Sequence, residues 1–209
     1  MRLAGWPLVT AEPDDATYLV TDIEATGFRP GRHSMLSFAT IAVTATGEER
    51  GRFEAVLAEL PGSAWHPGTR AWFEDDEPEA LLAATTGPRE PAQVMSDFVG
   101  FVLGLPAPRI FTAHPVAFDG SWIDFYLRRF TDHQLLDGLY EPEPLFHDTL
   151  CLRSYAAAVT GRGVREVSPA SLPSAWFGEV PHTHRAIDDA LGYAHLLAEL
   201  FRRTAAIAG

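Results

Sequence analysis

Two acidic residues, Asp22 and Glu24, stand two positions apart at the end of the short apolar run 18–22. The run predicts a buried strand, in which the side chains of alternate residues face the same side. Both carboxylates therefore share a face, and two adjacent anions repel each other unless a cation lies between them. Oxygen ligands of this kind suit Mg²⁺ or Mn²⁺. For any Asp-x-Glu pair taken alone, a solvated pair at a strand end is the ordinary alternative.

Three further residues could take part in the same chemistry. Asp119 follows a predicted strand and opens a predicted helix, where an aspartate can equally serve as the N-cap. Asp189 lies in the first turn of the last predicted helix, where the helix dipole favours an acid in any case. His184 precedes that helix and could act as a general base. Each residue alone has a structural explanation, so the order and spacing of all five must carry the interpretation.

The elements that must position these residues follow from hydrophobic periodicity and turn signals. Strands are predicted over 18–22, 35–44, 52–57 and 109–113. Helices are predicted over 79–84, 92–103, 119–130, 149–160 and 186–203. Strands followed by alternating helices and strands indicate an α/β domain around a mixed sheet. The stretch 60–90 is rich in proline, glycine, tryptophan and acid, and it is too long for a plain connector.

Length and composition bound the class of protein. A chain of 209 residues suits one well-buried α/β domain, for which we expect a core of about 17–203 and an insertion of about 60–90. Cys151 is the single cysteine, which excludes a disulfide framework within the chain and fits a reducing compartment. The segment 1–15 lacks the apolar stretch of a secretory signal, and no apolar run approaches the ~20 residues of a membrane span. We therefore expect a cytoplasmic protein.

The charge balance restricts how the chain could bind nucleic acid. There are 16 basic and 28 acidic residues, a net charge of −12, and every basic residue is arginine. So acidic a chain is poorly suited to holding a long duplex along a basic track. The composition favours local binding of short or single-stranded ends, through metal ions and a few arginines.

The order of the acidic motifs resembles the signature of the DEDDh group of 3′→5′ exonucleases. The three motifs are DIEATG at 22–27, AFDGSWIDFYL at 117–127 and HRAIDDA at 184–190. The segment 148–150, Asp-Thr-Leu, also looks like the one that opens a helix in these enzymes. The resemblance spans residues 18 to about 200 and implies one RNase H-like exonuclease domain, with a mixed five-stranded sheet flanked by helices.

The resemblance also decides between neighbouring candidates. It places the last metal aspartate five residues after the histidine and just before an alanine, which selects Asp189 over Asp188. By the same spacing it selects His184 over His182. In the second motif, the Phe-Asp pair selects Asp119 over Asp124, a choice that the opening of the helix also favours.

A two-ion mechanism is what the resemblance implies for these residues. Asp22 would bridge two Mg²⁺ or Mn²⁺ ions, Glu24 and Asp189 would bind the ion that carries the attacking water, and Asp119 would help to hold the second. His184 would take the proton of the water as general base. The products would be nucleoside 5′-monophosphates released from the 3′ end.

Contacts with the substrate are expected mainly from the first motif and its surroundings. The residues assigned to them are Thr26, Gly27, Phe28, Leu36 and Arg185. Phe28 and Leu36 occupy places where relatives stack on or wedge the terminal base, and stacking tolerates any base.

Other side chains of the region are open to two interpretations. Trp65, Trp72 and Phe73 could line the same groove, although packing of the 60–90 insertion against the domain is the favoured alternative. Arg29 and Arg32 are candidates for phosphate contacts, together with Arg185. Many relatives carry His-Asn where this chain has His114-Pro115, so a contact made by that amide is lost here.

Three functions remain open at this point. The leading interpretation is a processing or scavenging exonuclease on single-stranded 3′ ends, with short RNA slightly favoured. The second is a DNA proofreading or repair exonuclease within a complex. The third is a catalytically inactive nucleic-acid-binding module, which is disfavoured because all five chemical positions are present. A homodimer is plausible by resemblance alone.

Overall fold

The computed structural model describes residues 15–136 and 143–208, and its central feature is a five-stranded sheet in the order β3-β2-β1-β4-β5. The strands are β1 Thr17–Ala25, β2 Met35–Val43, β3 Glu49–Val56, β4 Arg109–Ala113 and β5 Asp148–Cys151. The helices are α1 Pro67–Asp75, α2 Pro78–Thr85, α3 Pro91–Leu103, α4 Val116–Phe130, α5 Leu152–Thr160 and α6 Ala186–Ala208. Most of segment 1–15, interpreted above as lacking a secretory signal, lies outside the described residues.

The sheet is mixed, as the sequence predicts. Strands β1, β2 and β3 form an antiparallel meander, and β4 and β5 continue the sheet in parallel with β1. Helix α3 leads from the meander to β4, and α4 leads from β4 to β5, because parallel neighbours need a crossover connection. The α/β class and the mixed five-stranded sheet are confirmed.

Strand β1 divides its side chains between two hydrophobic cores. Leu19 and Ile23 face the core that includes α3 and α4, whereas Tyr18 and Val20 face the core that includes α5 and α6. The alternation follows from the two-residue period of a strand. Asp22 and Glu24 continue the second set, so both carboxylates emerge on the α6 side of the sheet.

One predicted helix is wrong in its first turn. Residues 148–151 form β5, paired with β4 from Ile110↔Asp148 to Ala113↔Cys151, and α5 begins only at Leu152. The local pattern over 149–160 suits a helix, but the open edge of β4 offers a ladder of backbone hydrogen bonds that local periodicity does not reveal. This strand is the fifth of the sheet, and its position was not predicted.

The 60–90 region contains two helices, of which only the second was predicted. Helix α1 begins after His66, whose side chain accepts a hydrogen bond from the Thr69 amide (Nδ1 to N, 3.3 Å), and Pro67 suits the first helical turn. The apolar residues of α1 are few, so the periodicity that identifies a helix is weak there. The region packs on the domain through a small core of buried residues, namely Leu36, Phe73, Ala80 and Ala84.

Two helix boundaries differ from the prediction. Helix α4 begins at Val116, so Asp119 lies one turn inside the helix and is not its N-cap, the structural role considered above. Helix α6 runs to Ala208 instead of 203. Between α5 and α6 the chain forms short 3₁₀ turns that were not predicted, at Val164–Glu166, Pro169–Ser171 and Ser174–Phe177.

Candidate active site

Three carboxylates from two elements meet at the carboxyl end of β1. Asp22 and Glu24 lie on β1, and Asp189 lies in the first turn of α6, which packs on the same face of the sheet. One oxygen from each of the three lies within 4.8 Å of the others. Such a group suits a divalent cation with oxygen ligands.

Asp119 adds a fourth carboxylate from the other side of β1. The β1–β4 ladder ends at the Val20↔Thr112 pair, and α4 follows β4 alongside the last residues of β1. Asp119 is 3 % exposed, and its carboxylate accepts hydrogen bonds from backbone amides, that of Ile23 among them. Burial raises the pKa of Asp119 to about 7.

Burial and neighbouring acids destabilise the charged forms of Asp22 and Glu24. Burial raises the pKa of Asp22 well above its ordinary value, and the charges of Asp119, Glu24 and Asp189 raise it further. The pKa of Glu24 is raised by burial and then by the charges of Asp189 and Asp119. A bound cation would relieve this repulsion, so the donor set fits Mg²⁺ or Mn²⁺ on electrostatic as well as chemical grounds.

Two imidazoles lie beside Asp189, on the segment that leads into α6. The His182 Nδ1 lies 2.8 Å from Asp189 Oδ1, which also accepts a hydrogen bond from the Thr183 amide (3.1 Å). The pKa of His182 is raised, chiefly by its hydrogen bond with Asp189. His184 adopts a positive φ of 54° and has a ring nitrogen within 4.8 Å of ligand atoms of both His182 and Asp189.

Of the three candidates that the motifs set aside, His182 lies beside Asp189, whereas Asp188 and Asp124 make other contacts. Asp188 accepts a hydrogen bond from Thr183 Oγ1 (2.8 Å) and lies 3.6 Å from an Arg185 nitrogen, so it stabilises the segment before α6. Asp124 pairs with Arg128 (2.7 Å) further along α4. The structure thus brings together Asp22, Glu24, Asp119, Asp189 and His184, the five residues assigned from the motifs.

Comparison with known proteins gives likeness in structure only. No family model matches the chain, and no curated protein sequence does. Exonuclease I of E. coli, solved in complex with a dT13 oligonucleotide, superposes with a TM-score of 0.67 at 15% identity, over 92% of this chain and 42% of that one. The nuclease domain of 3′hExo, a DEDDh family member bound to rAMP, superposes with a TM-score of 0.60 at 8% identity, over 90% of this chain and 91% of that one. A 3′-exonuclease, from a structure that describes 3′-end specific recognition of histone mRNA stem-loop, superposes with a TM-score of 0.62 at 9% identity, over 92% of this chain and 83% of that one.

The chain shares its fold with these solved exonucleases. The chain spans less than half the length of E. coli exonuclease I and nearly the whole nuclease domain of 3′hExo. Since identities of 8% and 15% are too low to carry chemistry across, the likeness establishes architecture, and the function of the site must be argued from its own residues.

Beside the carboxylates, the turn after β1 is fixed by a hydrogen bond and by close packing. Thr26 is fully buried and its hydroxyl accepts a hydrogen bond from the Ser34 amide (2.8 Å). A Cβ on Gly27 would lie 2.6 Å from the His33 ring, so only glycine fits there. Phe28 is 57 % exposed, and its ring lies 4.3 Å from that of His66.

The remaining predicted substrate contacts divide by exposure. Leu36 is 1 % exposed and packs against Phe73, so its side chain serves the small core of the 60–90 region. Trp72 packs partly on that core and also meets His184 edge-on, with ring centroids 4.9 Å apart. Trp72 and Phe28 share a groove of ≈ 240 Å³. Arg185 is exposed.

Further residues beside the carboxylates were missed by the sequence reasoning. Tyr193 lies one turn after Asp189 on α6, a spacing that puts the two on one face and could have identified it. Its pKa is raised by burial and then by the charge of Asp22. A cavity of ≈ 510 Å³ opens beside Tyr193, His182 and Asp189.

His114 is buried behind this face of the site. Its ring stacks on Tyr193 at 5.0 Å and 12°, and burial lowers its pKa to about 4, so it is neutral at pH 7. Its Nε2 is buried with no hydrogen-bond partner among the described residues.

No helix among the described residues is long and apolar enough to cross a membrane.

Proposed function

We propose that this protein is a divalent-metal-dependent 3′→5′ exonuclease acting on single-stranded nucleic acid and releasing nucleoside 5′-monophosphates. The observation that carries the proposal is the meeting of carboxylates from β1, α4 and α6 beside an imidazole. Solved exonucleases of the same fold bind a dT13 oligonucleotide and rAMP, which supports a nucleotide at the equivalent place in this chain.

Four carboxylates would hold two divalent ions, either Mg²⁺ or Mn²⁺. Asp22, Glu24 and Asp189 have oxygens within 4.8 Å of one another, and Asp119 faces Asp22 closely enough to raise its pKa. Divalent ions bound there would lower the pKa of a water molecule and stabilise the charge that develops on phosphate and leaving oxygen. The neighbouring charges that raise the pKa values of Asp22 and Glu24 belong to acids, and a bound cation would balance them.

His184 would accept the proton of the attacking water. Its ring nitrogen lies within 4.8 Å of Asp189, and the side chain is only partly buried, so it can reach a water on the substrate side. Trp72 limits the directions that the ring can take, since the two rings pack edge to face.

The substrate would be held by stacking and by a few cations. Phe28, exposed in the groove that it shares with Trp72, would stack on a terminal base without selecting its identity. Arg29, Arg32 and Arg185 are exposed and would contact phosphates. The net charge of −12 favours short substrates, and we propose short RNA ahead of DNA, with a DNA repair exonuclease as the alternative. We also propose a cytoplasmic location, on the ground of the single cysteine.

The test uses single-stranded RNA and DNA ladders of several lengths, labelled at either the 3′ or the 5′ end. With Mg²⁺ or Mn²⁺, a 5′ label should persist on successively shorter products, whereas a 3′ label should be released at once as a mononucleotide. EDTA and Asp22→Asn should each abolish the reaction, and Asp75→Asn, an exposed acid on α1, should not. Shortening from the 5′ end, or cleavage in EDTA, would contradict the proposal.

A further inference from the structure

Asp189 belongs to two groups of potential ligands. The first is the carboxylate group with Asp22 and Glu24, and the second joins Asp189 to His182 and His184. In the second group the ligand atoms also lie within 4.8 Å of one another. The two imidazole rings have centroids 4.4 Å apart and are inclined at 62°.

The second group has a different chemical preference from the first. Two imidazoles and one carboxylate are poor ligands for Mg²⁺, which selects oxygen, and good ligands for Zn²⁺ and ions of similar softness. Zinc sites that remain open to a further ligand commonly have three protein ligands of this kind. The two groups of ligands should therefore bind different metal ions.

The geometry needs little adjustment to hold such an ion. His182 Nδ1 and Asp189 Oδ1 are 2.8 Å apart, and two ligands of a tetrahedral Zn²⁺ with bonds of about 2.0 Å lie about 3.3 Å apart. The side chain of His182 is 41% exposed and lies before α6 begins, so it can move by the required few tenths of an ångström. Asp189 is held by the Thr183 amide and need not move.

We propose that His182, His184 and Asp189 form a binding site for Zn²⁺, and that its occupation switches off the exonuclease. The inhibitory effect rests on the proposed function, but the binding does not. An ion in this site would take the lone pair of His184 that accepts the water's proton. It would also occupy Asp189, which the carboxylate group needs. Zinc and the activating ions therefore compete for Asp189.

Binding is tested on metal-free protein with a chromophoric zinc chelator as competitor. His182→Gln should weaken Zn²⁺ binding by at least about tenfold, the loss that removal of even an indirect partner of a metal commonly causes. The matched control is His195→Gln, which removes an exposed histidine on α6 and should leave the affinity unchanged. Asp22→Asn should also retain the affinity, since Asp22 is absent from this group.

The opposite pattern would overturn the inference. If Asp22→Asn abolished Zn²⁺ binding and His182→Gln did not affect it, zinc would occupy the carboxylates alone. The X-ray absorption fine structure of the zinc-loaded parent gives a readout that does not depend on any variant. Scattering from two imidazole rings is expected, and an all-oxygen environment would contradict the site.

The consequence for activity is measured separately. Zn²⁺ is titrated into Mn²⁺-supported reactions, and each variant is compared with its own rate in Mn²⁺ alone. The concentration that halves the rate should be at least about tenfold higher for His182→Gln than for the parent, in line with the binding change. Equal sensitivity of parent and variant to Zn²⁺ would contradict the inhibitory role of this site. Absence of any exonuclease activity in the parent would instead contradict the proposed function, and the result for Zn²⁺ binding would remain valid.

Discussion

Asp119 lies in an environment that strongly disfavours its charged form. It is almost completely buried, and its pKa is raised from 3.8 to about 7. A buried acid that must ionise near neutral pH is a cost to the folded protein, and a cation at the site removes part of that cost. The residue thus links metal binding to the stability of the fold.

The metal-free protein should lose stability as the pH rises. For an acid with a raised pKa, the folded state binds more protons than the unfolded state between the two pKa values, 3.8 and about 7 for Asp119. Its contribution is fully present below the lower value and is lost as the pH rises through the upper one. In EDTA, the free energy of unfolding of the parent, measured in urea, should fall between pH 5 and pH 8 relative to that of Asp119→Asn.

Two further measurements complete this prediction. At pH 8, Mg²⁺ should recover stability in the parent, because the ion binds the folded state. It should recover less in Asp119→Asn, which has lost one ligand. If the free energy of unfolding of the parent rose with pH relative to that of the variant, the predicted direction of the pH dependence would be wrong.

The sequence predicted the grouping of those residues that leave a trace in the local pattern. Asp22 and Glu24 share a face by strand alternation, and Asp189 stands at a fixed distance from His184 in the chain. The contacts of His182 with Asp189 and of His114 with Tyr193 were not predicted, because they join positions that only the folded chain brings together. The histidine pattern His182-Thr183-His184 was the one local signal available.

Helix α1 is the element that connects the 60–90 region to the site. Trp72 on α1 meets the His184 ring at 4.9 Å, and α1 in turn rests on the small core around Phe73. The region is therefore part of the environment of the proposed base and more than a surface addition.

Trp72→Leu should reduce turnover between about tenfold and a hundredfold, because a misplaced reacting group costs on that order. The control is Trp176→Leu, which removes a tryptophan stacked on Arg203, 3.9 Å from the guanidinium carbon. Single-turnover rates at saturating substrate separate positioning of the base from loss of binding. A change in substrate affinity with an unchanged rate would contradict the positioning role.

The turn after β1 permits a sharper test of packing. Gly27→Ala would place a Cβ 2.6 Å from the ring of His33, which is itself 4% exposed. Overpacking of this kind costs about 1–3 kcal/mol, so the urea midpoint should fall. The control is Gly100→Ala on α3, where a Cβ meets nothing within 4 Å and helix propensity should improve stability slightly. If His33→Ala did not relieve the effect of Gly27→Ala, the clash would not be its cause.

At the level of elements, the sequence predicted those with strong periodicity and missed those fixed by partners. Strands β1, β2 and β4 and helices α3 and α4 have apolar patterns of their own. Strand β5 depends on the edge of β4, and α1 depends on its cap and on the core beneath it. Neither dependence is visible in a local window.

The whole molecule combines an exonuclease fold with a strongly acidic charge. With a net charge of −12 and only a few exposed arginines near the site, binding of single strands should depend weakly on salt. If Arg29, Arg32 and Arg185 each contact one phosphate, the slope of log K against log salt should be about −2, since each contact contributes roughly −0.7.

Measurement of that slope needs conditions in which the substrate survives. Fluorescence anisotropy of a labelled oligonucleotide with Asp22→Asn, between 50 and 300 mM salt, provides them. A double variant, Arg29→Gln with Arg32→Gln, should reduce the slope by about 1.4 on the same reasoning. A slope steeper than about −5 would reveal a cationic track that the described surface does not suggest.

The position of β1 in the middle of the sheet has a consequence for the order in which parts of the molecule unfold. Asp22 and Glu24 belong to a strand hydrogen-bonded to β2 along its length, whereas His184 lies on a segment held by a few side-chain contacts before α6. Amides of β1 should exchange with solvent only on global unfolding, and those near 182–185 much sooner. On gentle heating the protein would therefore keep its metal ligands assembled after the proposed base has left its place, and activity would disappear before the fold does.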